Sequence, residues 1–211
     1  MVKQERALRT RESLVRAAAE LFQRDGYTIA SLTTISRAAG VSSGALHFHF
    51  ASKAALADAV EEAALTKLQA LTRDTPQAAA GSSLQRLVDA THRLAHVLSE
   101  DPVLRAGFEL CSDPARTPRI DLREQWQRWI EQVLQRAGED GELRPEVVPD
   151  GAATAVVAGT VGLEVLSSRK ADWLFPETVA RFWQVLLPTL AAPDLLPRPT
   201  AVASGPTIPT N

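Results

Sequence analysis

The stretch from Leu32 to Lys53, LTTISRAAGVSSGALHFHFASK, constrains the fold more strongly than any other part of the sequence. Thr33 and Thr34 are predicted to cap one short helix, and Gly40 follows the end of that helix, where a left-handed backbone is common. One of two adjacent serines then caps a second short helix, which continues through Leu46. Two short helices joined by a tight turn that contains glycine predict a helix-turn-helix.

The second helix of such a unit enters the DNA major groove, and its first turn approaches base edges and phosphates closely. In this chain the first turn reads Ser-Ser-Gly-Ala from residue 42. Small side chains permit close approach, hydroxyls can donate or accept at base edges, and a helix N-terminus favours phosphate. Polar groups at the far end can hold the flanking phosphates. The predicted DNA-binding residues are Thr33, Thr34, Ser42, Ser43, Gly44, Ala45, His47, His49 and Lys53.

Three apolar residues, Leu46, Phe48 and Phe50, alternate with the two histidines of this stretch. They are predicted to anchor the second helix in the core of a small N-terminal domain. Residues 1 to 53 are therefore predicted to form a three-helix DNA-binding head. The first ten residues are either a solvated end or an arm that lies along the DNA phosphates or in the minor groove. A purely structural role for the helix pair is the alternative, because helix-turn-helix units without a DNA function exist.

Charge is unevenly distributed along the chain, although the net charge is only −2. Residues 1 to 53 contain eight Lys and Arg against four Asp and Glu, whereas the remainder contains fifteen against twenty-one. A basic head on an acidic body predicts contact with nucleic acid at one end only.

The rest of the sequence predicts a second, all-helical domain over residues 54 to 191. Apolar residues recur there at helical spacing, most clearly from Leu122 to Leu134. The pairs Asp101-Pro102 and Thr117-Pro118 are each predicted to start a helix, since both combine a capping residue with proline. Two further apolar helices are predicted at about 152–168 and 176–190, and they are suited to pair with their copies in a homodimer.

Two segments are predicted to lack helix. Residues 74 to 83 are expected to form a loop, and residues 192 to 211, which contain five prolines, a disordered tail.

Composition limits the class of protein. A chain of 211 residues that is 45% hydrophobic can bury the core of one ordinary domain and a small one. Its single cysteine, Cys111, excludes an intrachain disulfide and is compatible with a reducing cytosol. Neither a signal peptide nor an apolar run long enough to cross a bilayer is evident, so we expect a cytoplasmic location and no membrane partner.

His92 and His96 have the i, i+4 spacing of metal ligands. Both lie opposite the apolar stripe of their helix, and the sequence offers no evident convergent fourth ligand. Neither a metal site nor a cofactor is therefore predicted, and the two histidines are expected on a solvated face.

Three residues of the helical domain are open to more than one interpretation. Trp126 lies on an apolar stripe, where a tryptophan is more often a core residue than a ligand contact. Thr160 is a lone hydroxyl among Ala, Val and Gly, and the carbonyl four residues back would satisfy it. Glu164, one turn further on, is expected either to pair with an arginine or to lie at a dimer edge.

The segments LFQRDGY, LTTISRAAG and GVSSGALHFHFASKAAL together resemble the DNA-binding domain of the TetR family of repressors. The family usually has tyrosine where this chain has His47. The resemblance implies an all-α, TetR-like fold in which a three-helix head is attached to a helical ligand-binding and dimerisation body.

The body is similar, in DPVLRAGFEL, VVAGTVGLEVL and FWQVLLP, to the γ-butyrolactone receptors of actinomycetes, a TetR branch whose head also reads GAL-x-FHF. That resemblance implies a homodimeric repressor of secondary-metabolite genes, released from a palindromic DNA operator by a small diffusible signal. In that branch a tryptophan and a threonine of successive helices contact the ligand. Trp126 and Thr160 match those positions and are the predicted effector-binding residues.

Other functional classes have less support in the sequence. It contains no glycine-rich phosphate loop, no nucleophile elbow and no paired carboxylates beyond those expected on helix surfaces, so an enzyme is not expected. Two alternatives remain open: a TetR-type regulator that responds to an antibiotic or another apolar compound, and a helical protein-interaction module without a DNA role.

Overall fold

The computed structural model describes residues 2–73 and 82–195, with side chains from Gln4 onward. These residues form nine α-helices and two short 3-10 helices, at Ala171–Leu174 and Pro193–Leu195, and an isolated bridge between Leu143 and Ala191. The predicted all-α class is confirmed for this part of the chain. The α-helices are α1 Val2–Asp25, α2 Leu32–Ala38, α3 Ser43–His49, α4 Lys53–Arg73, α5 Ser83–Glu100, α6 Pro102–Leu110, α7 Leu122–Glu139, α8 Pro149–Ser167 and α9 Pro176–Leu190.

The head consists of α1, α2 and α3, with Leu14, Ile35 and Leu46 fully buried among them. Gly26 ends α1 with φ of +82°, and Gly40 stands between α2 and α3 with φ of +69°. L-residues with a side chain rarely adopt this left-handed backbone, which explains glycine at both turns.

The cap of α2 differs from the prediction. Ser31 is its N-cap, and the Ser31 hydroxyl accepts a 3.2 Å hydrogen bond from the Thr34 N–H while the Ser31 N–H donates to Thr34 Oγ1 at 3.1 Å. Thr33 and Thr34 already lie inside the helix, so the prediction that they cap it is wrong. Of the two serines proposed to cap α3, Ser42 takes the position and accepts from the Ala45 N–H at 3.2 Å.

In the body, one predicted helix start is confirmed and another is wrong. Asp101 caps α6, with its side chain accepting from the N–H groups of Val103 and Leu104. The Thr117-Pro118 pair does not start a helix: α7 begins at Leu122 with Asp121 as its cap. Residues 111–121 instead form a series of turns. Helix α8 begins at Pro149, three residues before the predicted start.

Helix α4 begins at Lys53, at the predicted boundary of the head, and runs to Arg73 in the body, while the division of the chain into domains stays a prediction. Its close contact with α6 involves Gly107. A Cβ atom at that glycine would lie 2.4 Å from Ala64 Cβ and 2.6 Å from Leu122 Cδ1. The absence of a side chain therefore allows α6, α4 and the start of α7 to pack together.

Glu142, which follows α7, connects that part of the body to the start of α5. Its carboxylate accepts from the N–H groups of Ser83 and Leu84 at 2.7 and 2.9 Å, and so caps α5. Most of the predicted loop at 74–83 and most of the predicted tail at 192–211 lie outside the described residues. Among the described helices, none is long and apolar enough to cross a membrane.

Candidate nucleic-acid interface and effector site

Helix α3 buries one face and exposes the other. Leu46 and Phe50 are buried at 0% and 4% exposure, as predicted. Phe48 is 81% exposed, so the prediction that it anchors the helix in the core is wrong. Positions 46 and 50 share a face because they are four residues apart, whereas an alternation with period two belongs to a strand. Phe48 lies on the outer face with Gly44 and His47.

The first turn of α3 is open to an approaching partner. Ser42, Ser43 and Gly44 are all exposed. A Cβ atom at Gly44 would meet only Ser42 Oγ, at 4.0 Å, so nothing in the described part of the chain requires glycine there. The space above this position is external, which is what close approach to a DNA surface needs.

The other predicted DNA-binding residues of the head differ in their exposure and in the contacts that they already make within the chain. Thr33 and His47 are exposed, and Ala45 is half-buried. The Thr34 hydroxyl is held by the Ser31 cap, so its hydrogen bonds are already used in α2. His49 is half-buried, with its ring edge-to-face against Phe48 at a centroid distance of 5.2 Å.

Lys53 points into the head rather than outward. Its ammonium lies 4.5 Å from the centre of the Tyr27 ring. Its Nζ donates to three backbone carbonyls at 2.8, 3.0 and 3.1 Å, namely those of Tyr27, Thr28 and Ala30. Because an ammonium has three N–H donors, this geometry leaves none for a phosphate. The prediction that Lys53 holds phosphate is corrected: this side chain stabilises the turn between α1 and α2.

The two predicted effector-binding residues contact each other. Trp126 of α7 is 1% exposed, and its Nε1–H donates to Thr160 Oγ1 of α8 at 3.0 Å. The Thr160 hydroxyl in turn donates to the carbonyl of Val156 at 2.8 Å, which is the local bond expected from the sequence. The structure thus brings both residues into one buried polar contact, while their role with an effector stays a prediction.

An open cleft lies beside this pair. Trp129 stacks on Trp126 with ring centres 5.0 Å apart and an angle of 21°. Trp129 also lines a cleft of about 310 Å³ between α4 and α7. Other residues that line this cleft are Leu65, Leu68, Gln69 and Gln125. A half-buried indole therefore separates this cleft from the buried Trp126.

Glu164 pairs with Arg123, one of the two roles expected for it. The two side chains form parallel hydrogen bonds of 2.9 and 3.1 Å between α8 and α7. Glu109 of α6 lies close to this pair. Burial raises the pKa of Glu109 to about 7, since the nearby Arg105 and Arg123 compensate only in part and Glu164 acts in the same direction as burial.

His92 and His96 do not gather further ligands. His96 lies 3.5 Å from Glu100 on the exposed side of α5. Within residues 2–73 and 82–195, no group of three or more His, Cys, Asp or Glu side chains is arranged to hold a metal ion.

The sequence misplaced one residue and gave no signal for another, and both have clear positions in the structure. Phe48 is the most exposed large apolar residue of the chain's described part, and helical spacing from Gly44 would have placed it on the outer face. Arg116 lies in the turns before α7, and its side chain is 6% exposed, with the guanidinium between two carboxylates of α4. No local sequence pattern indicates that burial, because its partners are more than fifty residues away.

Comparison with known families decides the classification. Residues 14–60 match the model of bacterial regulatory proteins of the tetR family, and residues 81–192 match the tetracyclin repressor-like C-terminal domain. The chain belongs to the TetR family. The resemblance predicted from the head and body segments is thereby confirmed, and proteins of this family are transcriptional regulators.

Individual TetR relatives resemble this chain over most of its length. It is 35% identical over 202 residues to the A-factor receptor protein of Streptomyces griseus, covering 93% of this chain and 69% of that protein. A crystal structure of a γ-butyrolactone receptor (ArpA-like protein) superimposes with a TM-score of 0.77 at 30% identity, covering 90% and 92% of the two chains. The TetR-family protein CprB of Streptomyces coelicolor, in complex with its biological operator sequence, gives a TM-score of 0.75 at 30% identity over 90% and 92%.

Proposed function

We propose that this chain is a homodimeric transcriptional repressor that binds a palindromic operator through α3 and is released by a small γ-butyrolactone-type signal. The observation that carries the DNA-binding part is the open first turn of α3, where a Cβ atom added at Gly44 would meet only Ser42 Oγ, at 4.0 Å. The similarity to a relative solved with its operator supports the same assignment. A repressor that acts on DNA in this way would work in the cytoplasm.

The proposed effector site is the contact between α7 and α8. Trp126 offers a large apolar surface, and Thr160 offers a hydroxyl that can donate or accept. A lactone provides a carbonyl acceptor and an apolar chain, which suits one polar group in a mainly apolar setting. The similarity to the A-factor receptor and to a γ-butyrolactone receptor supports this class of compound.

The proposed dimer surface is formed by the end of α8, the 3-10 helix that follows it and α9. Large apolar residues are exposed there in the single chain: Val165, Leu166, Trp173, Phe175 and Val185. Such residues on neighbouring elements indicate a surface that another protein covers. Two copies related by a two-fold axis would place two α3 helices in successive major grooves of one DNA duplex.

The test begins with selection of DNA duplexes from a random-sequence pool by the purified full-length protein. A repressor of this kind selects a palindrome whose half-sites are about one helical turn apart. A-factor is then added to the selected complex and the release of DNA is measured. Selection without release by A-factor, but with release by another apolar compound, would assign a different effector class. Failure to enrich any sequence would favour a protein-interaction module.

A further inference from the structure

The turns between α6 and α7, residues 111–121, are fixed to α4 by a fully buried carboxylate. Glu61 of α4 is 0% exposed. One of its oxygens accepts from the backbone N–H groups of Arg119 and Ile120 at 3.1 and 3.2 Å. Its other oxygen pairs with the Arg116 guanidinium, which also bonds Asp58 at 2.8 Å. Arg116 therefore cannot move away independently of Glu61, because its departure would leave the Glu61 carboxylate buried without its cation.

The same guanidinium also contacts the DNA-binding head. Arg116 Cζ lies 5.5 Å from the centre of the Tyr27 ring, within the range of a cation–π interaction. The ammonium of Lys53 lies 4.5 Å from the centre of that ring and holds the carbonyls of residues 27, 28 and 30. Tyr27 thus joins a cation of the body to the turn that precedes α2 and α3.

At their other end, the turns lead directly into the proposed effector site. Cys111 Sγ accepts a 3.2 Å hydrogen bond from the N–H of Leu122, the first residue of α7. Trp126 follows about one turn later on the same helix. A displacement of the start of α7 is therefore transmitted to residues 111–121, the segment that carries Arg116, because Cys111 in that segment is hydrogen-bonded to Leu122.

We propose that Arg116 is a positioning residue that couples the body to the DNA-binding head through its contact with Tyr27, in parallel with the covalent path along α4. This inference rests on the proposed DNA-binding function. When the body holds Arg116 against Tyr27, the turn at 27–30 is fixed and α3 keeps one orientation. When the segment and the α4 carboxylates that hold it shift together relative to the head, Tyr27 loses this contact and the head is free to reorient. A contact of this type has the strength of an ordinary allosteric coupling, which changes affinity by about fivefold or more.

The test uses reciprocity: if the body positions the head, DNA bound to the head must stabilise the segment at 111–121. The full-length protein is bound to a duplex that it has selected from a random pool, and hydrogen exchange of the 111–121 amides is followed by mass spectrometry. Tyr27→Leu removes the aromatic face, whereas Tyr27→Phe retains it and is the matched control. We expect DNA to slow exchange at 111–121 by about fivefold or more in the natural protein and in Tyr27→Phe. In Tyr27→Leu that slowing is lost although the duplex remains bound.

Two results would overturn the proposal. One is equal protection of residues 111–121 in Tyr27→Leu and Tyr27→Phe when both are saturated with DNA. The other is the absence of DNA-dependent protection there in the natural protein. If Tyr27→Leu only disturbed the head, it would weaken DNA affinity but leave the protection of residues 111–121 unchanged once DNA is saturating. Loss of affinity and loss of coupling can therefore be distinguished. If Tyr27→Leu does not fold, Tyr27→Met fills a similar volume without a ring and takes its place. A protein that selects no duplex would contradict the proposed function itself.

Discussion

Trp126 and Thr160 satisfy each other across the contact of α7 and α8, with the indole N–H 3.0 Å from the hydroxyl oxygen. Because the indole N–H donates to Thr160 and the Thr160 hydroxyl donates to the Val156 carbonyl, an effector that accepts a hydrogen bond from either group must replace an existing bond rather than add one. The exchange of one hydrogen bond for another contributes little net free energy, so most of the affinity must come from apolar surface removed from water. An effector for this site is therefore expected to carry an extended apolar portion.

The role of Trp126 is best tested with Trp126→Phe. Replacement by alanine would destabilise the body by about 3–5 kcal/mol, because a fully buried indole would be replaced by a cavity. Phenylalanine retains an aromatic ring, and Thr160 keeps its bond to the Val156 carbonyl. We expect normal operator binding but release that requires about tenfold more A-factor, a change of about 1.4 kcal/mol.

Trp183→Phe is the matched control for that experiment. Trp183 is likewise buried, at 3% exposure, but its indole nitrogen makes no hydrogen bond within residues 2–73 and 82–195. We expect its release curve to coincide with that of the natural protein. Equal shifts in the two variants, measured by fluorescence anisotropy of labelled operator, would remove Trp126 from the effector site.

Substitutions at Gly44 should affect DNA binding and folding in opposite directions. Alanine fits there without an internal clash and should stabilise α3 by about 0.5–1 kcal/mol, since glycine is a poor helix former. Operator binding should nevertheless weaken in Gly44→Ala and be lost in Gly44→Leu, because the added atoms occupy the space of the DNA surface. Gly151→Ala, at another open helical glycine, is the control. Retention of operator affinity in a folded Gly44→Leu protein would exclude α3 from the interface.

Lys53→Met should destabilise the head rather than remove a phosphate contact. The substitution leaves three carbonyls without their ammonium donor, for which we expect a loss of about 1–3 kcal/mol in unfolding free energy. The slope of log affinity against log salt concentration should not change, because each phosphate contact contributes about one unit and Lys53 makes none. Thermal unfolding and a salt titration of DNA binding check the two statements separately. A slope reduced by about one would restore Lys53 to the DNA interface.

Glu109 should make the stability of the body depend on pH. Its pKa is raised from the ordinary 4.5 to about 7 in the folded chain, mainly by burial. Between these two values the unfolded chain releases the proton and the folded chain keeps it, so stability falls as pH rises through this window and levels off above it. Glu109→Gln has no such proton and should gain in melting temperature relative to the natural protein from pH 4.5 to 7. Glu139→Gln, at an exposed carboxylate, is the control, and an equal response of both variants would contradict the assignment.

The proposed dimer surface is tested by one substitution on α9. Val185 is 76% exposed in the single chain, and Val185→Arg would bury a charge without a partner at a two-fold contact. We expect sedimentation to show monomers or a strongly weakened dimer. Ile29→Arg is matched in exposure, also 76%, but lies in the head and should leave the assembly intact. An unchanged dimer in Val185→Arg would place the interface elsewhere.

Local sequence signals were sufficient for most of the fold and for part of the candidate site. Ser42, Asp101 and Pro102 act within four residues of the helices they start, so their roles could be read from the sequence. Lys53 and Arg116 could not be interpreted in that way. Their hydrogen-bond partners lie 23 to 58 residues distant, and only the packed chain shows that both cations are directed inward. The error at Phe48 has a different cause, since a period of two was applied to a segment that is helical.

The contact at Gly107 determines which movements α6 and α4 can make. With the α6 backbone already against the Ala64 side chain and the end of Leu122, there is no free space for the two helices to approach further. A movement of α6 toward α4 must consequently displace α4 by the same amount. The two helices can avoid this only by sliding past each other or by separating. Alanine at position 107 would act as a permanent wedge of one carbon atom, which holds the body in a displaced form without any signal.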